Sequence, residues 1–284
     1  MLISVIPTTK SHGTRPYPYR VHTPWIEQIK IGNLIEIPYG KDVLLAIVSE
    51  IIPEERYPEY EGISDQIRPI LSVVSSNPLV TNGTLATVAS LAERYFLPIH
   101  KALSLFLPQA LMNRLEKRNY LLDSWTIEHS SHGPIKIYHS IEKIITPEMI
   151  APMRNRGSIF IFPDDILLEM FLPWFVWVNS LWILRGDATP AKRMQTWIDV
   201  YEWKYEIIVW TRRLLYYNLH AYRDIIYFED AFGAEQYHYP ISIRSLDVLA
   251  MLSKHTEHTM SILTSSPTLE LFAKFTEAKI IPLR

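Results

Sequence analysis

The sequence predicts an α/β protein in two parts: a small β-rich N-terminal domain with a few helices, then a lobe built on a parallel sheet. Three observations carry this prediction. Residues 32–38 alternate apolar and polar side chains, and an apolar run over 43–52 answers them across a tight turn, the pattern of a hairpin. From Pro78 the apolar residues move to helical spacing. From Ser158 onward, short continuous apolar runs alternate with helical stretches, as strands covered on both faces of a parallel sheet should.

Leu2 to Ile6 reads as a short strand, and Gly32 to Pro38 as a half-buried one. Pro38-Tyr39-Gly40-Lys41 is the turn, with Val43 to Ile52 the returning strand. Pro53 to Asp65 is charged and contains proline, so it is expected to be an exposed loop. Leu85, Val88, Ala89, Leu91, Ala92 and Tyr95 place a helix over 84–96, which Pro98 stops. A second helix follows over 99–106, before Pro108. Residues 113–131 are polar and weakly patterned, so the first domain is set at 1–111, a linker at 112–131 and the lobe at 132–284. In the lobe, helices are expected at 141–150, 166–175, 191–201 and 244–252. Strands are expected at 158–162, 180–184, 206–210, 224–228 and 259–264.

With 284 residues, 48% of them hydrophobic, the chain has enough apolar side chain for one or two cores. Its formal net charge of -2 means that any nucleic-acid site must be a local patch. There is no cysteine, which excludes disulfides, thiolate catalysis and cysteine-ligated metal, and fits a cytoplasmic protein. The first residues lack the basic and apolar segments of a signal peptide. Residues 166–184 are apolar enough to suggest a membrane span, but Glu169, Pro173 and Asn179 interrupt them; a buried helix followed by a buried strand is the better reading.

Two blocks of residues resemble the PriA family of replication-restart helicases, also called primosomal protein N′. The first comprises Tyr17-Pro18-Tyr19, Gly32, Ile37-Pro38-Tyr39-Gly40, Ala46-Ile47-Val48, Ile67-Arg68-Pro69-Ile70, Ala92-Glu93-Arg94-Tyr95 and Leu105-Phe106-Leu107-Pro108. It is similar to the family's N-terminal domain, which binds the 3′ end of a nascent strand. The second resembles a first motor lobe of RecA-like, superfamily 2 type. It comprises Arg193 with Trp197, Ile208 to Tyr216 including Thr211-Arg212, Asp224 to Asp230, and Thr264 to Glu270 including Ser266-Pro267.

The departures from the family set the functional expectation. No Gly-x-x-x-x-Gly-Lys-Ser/Thr phosphate loop occurs in the chain; residues 133–138 stand where the resemblance puts it. The acidic residue that helps hold magnesium is replaced by Phe228, with Glu229 and Asp230 following it. The sequence closes at Arg284, before any second lobe, and the winged-helix domain between the blocks is absent. The resemblance therefore implies a degenerate helicase lobe without ATPase activity, cofactor or metal.

In the first block, the resemblance implies a DNA site made of Tyr17, Tyr19, Tyr39, Gly40, Lys41 and Arg68. Aromatic and basic residues suit a stacked terminal nucleotide and its phosphate. The family's Asp between the two aromatics, which binds the terminal sugar hydroxyl, is Pro18 here. The expected partner is a DNA fork or single-strand 3′ end, with a primosome or helicase protein as a further partner. The alternative is a protein-interaction module that has lost its DNA affinity. Elsewhere, the aromatics from Trp197 to Trp210 and Tyr216-Tyr217 fit core packing better than base stacking. His255, Glu257 and His258 fit a solvated helix end better than a metal site.

Overall fold

The computed structural model of the chain describes residues 1–9, 15–117, 135–141, 144–175, 181–183, 189–229 and 243–283. The chain divides into two compact units, Met1–Ser124 and Trp125–Arg284.

The first unit is an antiparallel five-stranded sheet in the order β2-β1-β4-β3-β5. The strands are β1 (Leu2–Pro7), β2 (Tyr17–Arg20), β3 (Leu34–Tyr39), β4 (Asp42–Ile52) and β5 (Ser72–Val73). β3 and β4 form the expected hairpin, with Tyr39 paired to Asp42 across the two-residue loop Gly40-Lys41. Gly40 has φ +62°, so the loop carries its positive φ at its first residue, where a type II′ turn wants glycine. Residues 68–70 then join the sheet's two edges. Arg20 N–H donates to the Arg68 carbonyl at 2.9 Å and Ile70 N–H to the Arg20 carbonyl at 2.9 Å, while Leu71 N–H donates to Glu36 on β3 at 2.8 Å. Closing the sheet in this way leaves fewer unpaired edge groups.

Alternate residues of these strands, including Ile3, Val5, Ile35, Ile37, Ala46 and Val48, form one buried cluster with Tyr19. β1 is buried on both faces, because helix α2 (Ile99–Phe106) packs on it and α1 (Asn82–Arg94) packs on α2. Gly32 sits at the seam between sheet and helices. Its φ is +89°, and a Cβ there would lie 2.0 Å from the Val80 carbonyl oxygen, so only glycine fits. Thr81 caps α1 by accepting from Thr84 N–H at 3.2 Å. At the other end Phe96 takes φ +51°, and Leu97 N–H closes on the Ala92 carbonyl at 2.9 Å, a Schellman-type end with phenylalanine where glycine is usual.

Two expectations in this unit need correction, and one strand was not expected. A third helix, α3 (Gln109–Glu116), buries Leu111, Met112 and Leu115, so residues 112–116 are not linker; their short apolar stripe was hidden among Asn113, Arg114 and Glu116. The stretch expected as a loop after residue 53 is a run of 3₁₀ turns, Glu54–Gln66. The edge strand β2 was missed because Pro18 breaks its pattern, which an edge strand tolerates.

The second unit is a seven-stranded sheet, parallel throughout, in the order β12-β6-β11-β10-β7-β9-β8. Its elements are β6 (Lys136–Ser140), α4 (Pro147–Ile150), β7 (Ser158–Phe162), α5 (Asp165–Phe171), β8 (Leu181–Ile183), α6 (Pro190–Tyr201), β9 (Ile207–Thr211), β10 (Asp224–Glu229), α7 (Ser245–His255), β11 (Thr259–Thr264), α8 (Leu269–Lys274) and β12 (Lys279–Leu283). β7 and β9 are buried at every residue, which is why they read as unbroken apolar runs. Asp164, Thr189 and Thr268 each cap the following helix through a side-chain oxygen.

The helix expected at 141–150 is reduced to Pro147–Ile150, because proline sets the helix start and disfavours helical backbone just before it. The helix expected at 166–175 ends at Phe171 and tightens into a 3₁₀ turn over Leu172–Phe175, since Pro173 has no N–H to continue the ladder. Lys136–Tyr138, placed by sequence at the phosphate loop, belong to β6; Gly133 and Pro134 lie outside the described residues. No described helix is long and apolar enough to cross a membrane.

Candidate nucleic-acid interface

Five of the six residues singled out in the first block converge on one cleft of about 350 Å³. Tyr17, Pro18 and Tyr19 come from β2, and Pro38, Tyr39 and Gly40 from the end of β3 and its turn. Arg68 comes from the joining segment, Ile63 and Gln66 from the 3₁₀ run, and Ile67 is the extended residue that ends it. Lys41, at the second position of the turn, is exposed and does not line the cleft.

The cleft is held in shape by its own contacts. The Tyr17 and Tyr39 rings meet edge to face with centroids 5.8 Å apart. The Tyr19 hydroxyl donates to the Pro38 carbonyl at 2.8 Å, fixing β2 against β3 although the two are not sheet neighbours. Arg68 Nη1 donates to the Gly40 carbonyl at 2.9 Å, which sets an exposed guanidinium beside the turn. Donating its hydroxyl proton to Tyr17 pushes Tyr39 up to about 12, and burial raises Tyr19. Both hydroxyls are therefore neutral near pH 7. The arrangement offers two half-buried aromatic rings, a fixed cation and exposed turn backbone, the groups that hold a base and a phosphate. Pro18 lines the cleft without an acceptor side chain.

Sequence reasoning missed Ile63, Gln66 and Ile67. A signal for them exists: Tyr57, Tyr60, Ile63 and Gln66 recur every third residue, the period of a 3₁₀ helix.

In the second unit, the residues of the second block lie at the carboxyl ends of the parallel strands. Thr211 ends β9 and Arg212 opens the following turn, both buried. Glu229 ends β10 opposite Thr264 of β11, and the Thr268 hydroxyl donates to Glu229 Oε1 at 3.0 Å. Ser266 N–H donates to Thr264 Oγ1 at 3.2 Å, and Pro267 follows in the same turn. Asp230 lies outside the described residues. Phe228 is 1% exposed, stacks on Phe162 at 4.2 Å and meets Phe171 at 5.3 Å. Trp197, Trp210, Tyr216 and Tyr217 are buried, in keeping with the core reading. α7 ends at His255, and buried His258 bonds through Nδ1 to the Tyr222 carbonyl at 2.9 Å. Among the described residues no group of His, Asp or Glu could hold a metal ion.

Residues 5–108 match the family model of the PriA 3′DNA-binding domain. The N-terminal unit is thus PriA-like, and the match ends before the lobe begins. Among solved structures, the chain is similar to the crystal structure of the DUF1998 helicase MrfA bound to DNA. They share 11% identity and a TM-score of 0.31, over 73% of this chain and 30% of that one. A likeness of that size carries no argument about the lobe. No curated protein matches the sequence.

Proposed function

We propose that the chain is a non-catalytic DNA-binding protein of replication restart or repair, which seats the free 3′ end of a strand in the N-terminal cleft. The observation that carries this reading is the convergence of Tyr17, Tyr19, Tyr39, Gly40 and Arg68 on one cleft inside the segment that matches a 3′DNA-binding domain. The terminal base stacks on the tyrosines, and Arg68 meets its phosphate. Stacking on one such ring contributes about 1–3 kcal/mol per base. The reading that the lobe does not hydrolyse ATP is supported by the absent phosphate-loop pattern and by Phe228, whose ring packs into the core where the family's lobe carries a magnesium-holding Asp.

Fluorescence anisotropy tests this with a labelled fork bearing a free 3′ end, a 3′-phosphate fork and a blunt duplex, each at two salt concentrations. Binding to the free-ended fork that weakens with salt and with Tyr39→Ala supports the reading. Equal affinity for the blunt duplex, or binding indifferent to Tyr39→Ala, contradicts it. ATP turnover by the same preparation that disappears in a lobe variant contradicts the non-catalytic part.

A second reading, a lobe kept as a docking surface for a helicase or primosome protein, is favoured by α5. Ile166 and Met170, one helical turn apart, are 77% and 66% exposed. A complex with such a partner that survives the double substitution Ile166→Glu, Met170→Glu rules this face out.

A further inference from the structure

Beside the cleft lies a second one, of about 250 Å³, lined by Met1, Leu2, Arg20, Tyr57, Tyr60, Glu61, Ser64 and Ile67. The two share Ile67. They also share a wall: along the 3₁₀ run, Tyr57 and Tyr60 face the second cleft and Ile63 and Gln66 the first, at every third residue. Three residues of 3₁₀ helix rise about 6 Å, so side chains of one stripe are spaced well beyond the 3.4 Å rise of a stacked duplex strand. That spacing suits successive nucleotides of a single strand whose bases are pulled apart. The opposite wall is continuous as well. Arg20 follows Tyr19 on β2, and its backbone is bonded to Arg68 and Ile70 of the segment that supplies the first cleft's cation.

We infer that this second cleft is a subsite for the nucleotide next to the 3′ end, so that the strand runs from the Tyr17–Tyr39 cleft past Ile67 onto Tyr60. The inference rests on the function proposed above and adds the path of the strand. Tyr60 presents a half-buried ring, packed against Leu2, Ile52 and Ile67, as the surface for the base. Arg20 lines the second cleft and follows Tyr19 of the first along β2; its guanidinium, directed at the Ser64 carbonyl and hydroxyl at 3.4 and 3.3 Å, meets the intervening phosphate. Glu61 adds an acceptor-only carboxylate, which favours a base with an exocyclic amine over thymine. A peptide partner is a poorer fit, because the groove continues a cleft already lined by stacking rings and a phosphate-binding cation.

The test is a competition titration, by anisotropy, of thymidine mono-, di- and tetranucleotides with free 3′ ends against a labelled single strand. The full chain is compared with Tyr60→Ala and Arg20→Ala. The dinucleotide is expected to bind about tenfold more tightly than the mononucleotide, and both substitutions should erase that gain while leaving mononucleotide affinity intact. Cytidine at the penultimate position should bind more tightly than thymidine, and Glu61→Gln should reduce the difference. Equal affinity for one and two nucleotides, or a gain that survives both substitutions, overturns the subsite while leaving the first cleft standing. Failure of every oligonucleotide to compete overturns the parent reading and this one with it. Should Tyr60→Ala fail to fold, exposed Arg20 supplies the decisive comparison.

Discussion

Restoring the acidic residue that the resemblance expects at position 228 should unfold the lobe rather than revive it. Phe228 lies on β10, between β11 and β7, and its ring is enclosed by Phe162 and Phe171 within a cluster that includes Phe160, Leu168 and Ile226. Replacing a buried Phe with Ala costs about 3–5 kcal/mol through lost transfer and the cavity left behind. Asp adds the cost of a carboxylate with no partner in an aromatic pocket, on the order of several kcal/mol more, or else binds a proton. The sum approaches or exceeds the roughly 5–15 kcal/mol that holds a typical domain. Phe228→Leu should cost less than Phe228→Ala, about 1–3 kcal/mol, from the smaller volume and the two lost ring contacts. Urea unfolding followed by far-ultraviolet circular dichroism of wild type and the Leu, Ala and Asp variants gives the order directly. A Phe228→Asp protein that unfolds at the wild-type midpoint would refute the reasoning.

Three smaller predictions follow from the N-terminal unit. Gly32→Ala places a Cβ against the Val80 carbonyl at a φ of +89°, so it should destabilise by about 3 kcal/mol or more, read as a lowered thermal midpoint. Phe96 is 90% exposed in a left-handed conformation, so Phe96→Gly should relieve strain without losing packing and stabilise the fold by about 1 kcal/mol; a loss of stability shows that the ring has an unrecognised contact. The Tyr39 hydroxyl should ionise near 12 in an ultraviolet pH titration and nearer 10 in Tyr17→Phe. Because its folded value is raised, the associated stabilisation is fully present below pH 10 and is lost as pH climbs from 10 towards about 12.

The strands at the centre of the lobe were legible because burial on both faces confines polar residues to their ends: Ile159 to Phe162 and Ile207 to Trp210 are unbroken apolar runs between Ser158 and Thr211 at opposite strand ends. β12 escaped notice for the converse reason, being an edge strand with Lys279, Ile280 and Pro282 exposed. β6, its neighbour, is five residues of mixed polarity, Lys136–Ser140, and carries no period that separates strand from loop. In the candidate site, Tyr17, Tyr39 and Arg68 were found through the resemblance of their surroundings. Nothing in their spacing places residues so far apart in sequence around one cleft; the Tyr19–Pro38 and Arg68–Gly40 hydrogen bonds do that. Lys41 was grouped with them because it follows Gly40, yet the turn leaves it exposed and away from the cleft. Tyr57 and Tyr60 went unremarked because a three-residue period is rare, and Pro58 and Gly62 make the segment read as a loop; Arg20 went unremarked with its strand, β2, whose pattern Pro18 breaks.

The most direct test of the central claim is photocrosslinking with a single strand whose 3′-terminal base is a halogenated uracil, followed by mass-spectrometric mapping of the adduct. The account predicts adducts on Tyr17 or Tyr39, lost when the same base is moved to the 5′ end. Adducts confined to residues of the lobe, or a pattern that does not depend on which end carries the base, would contradict it.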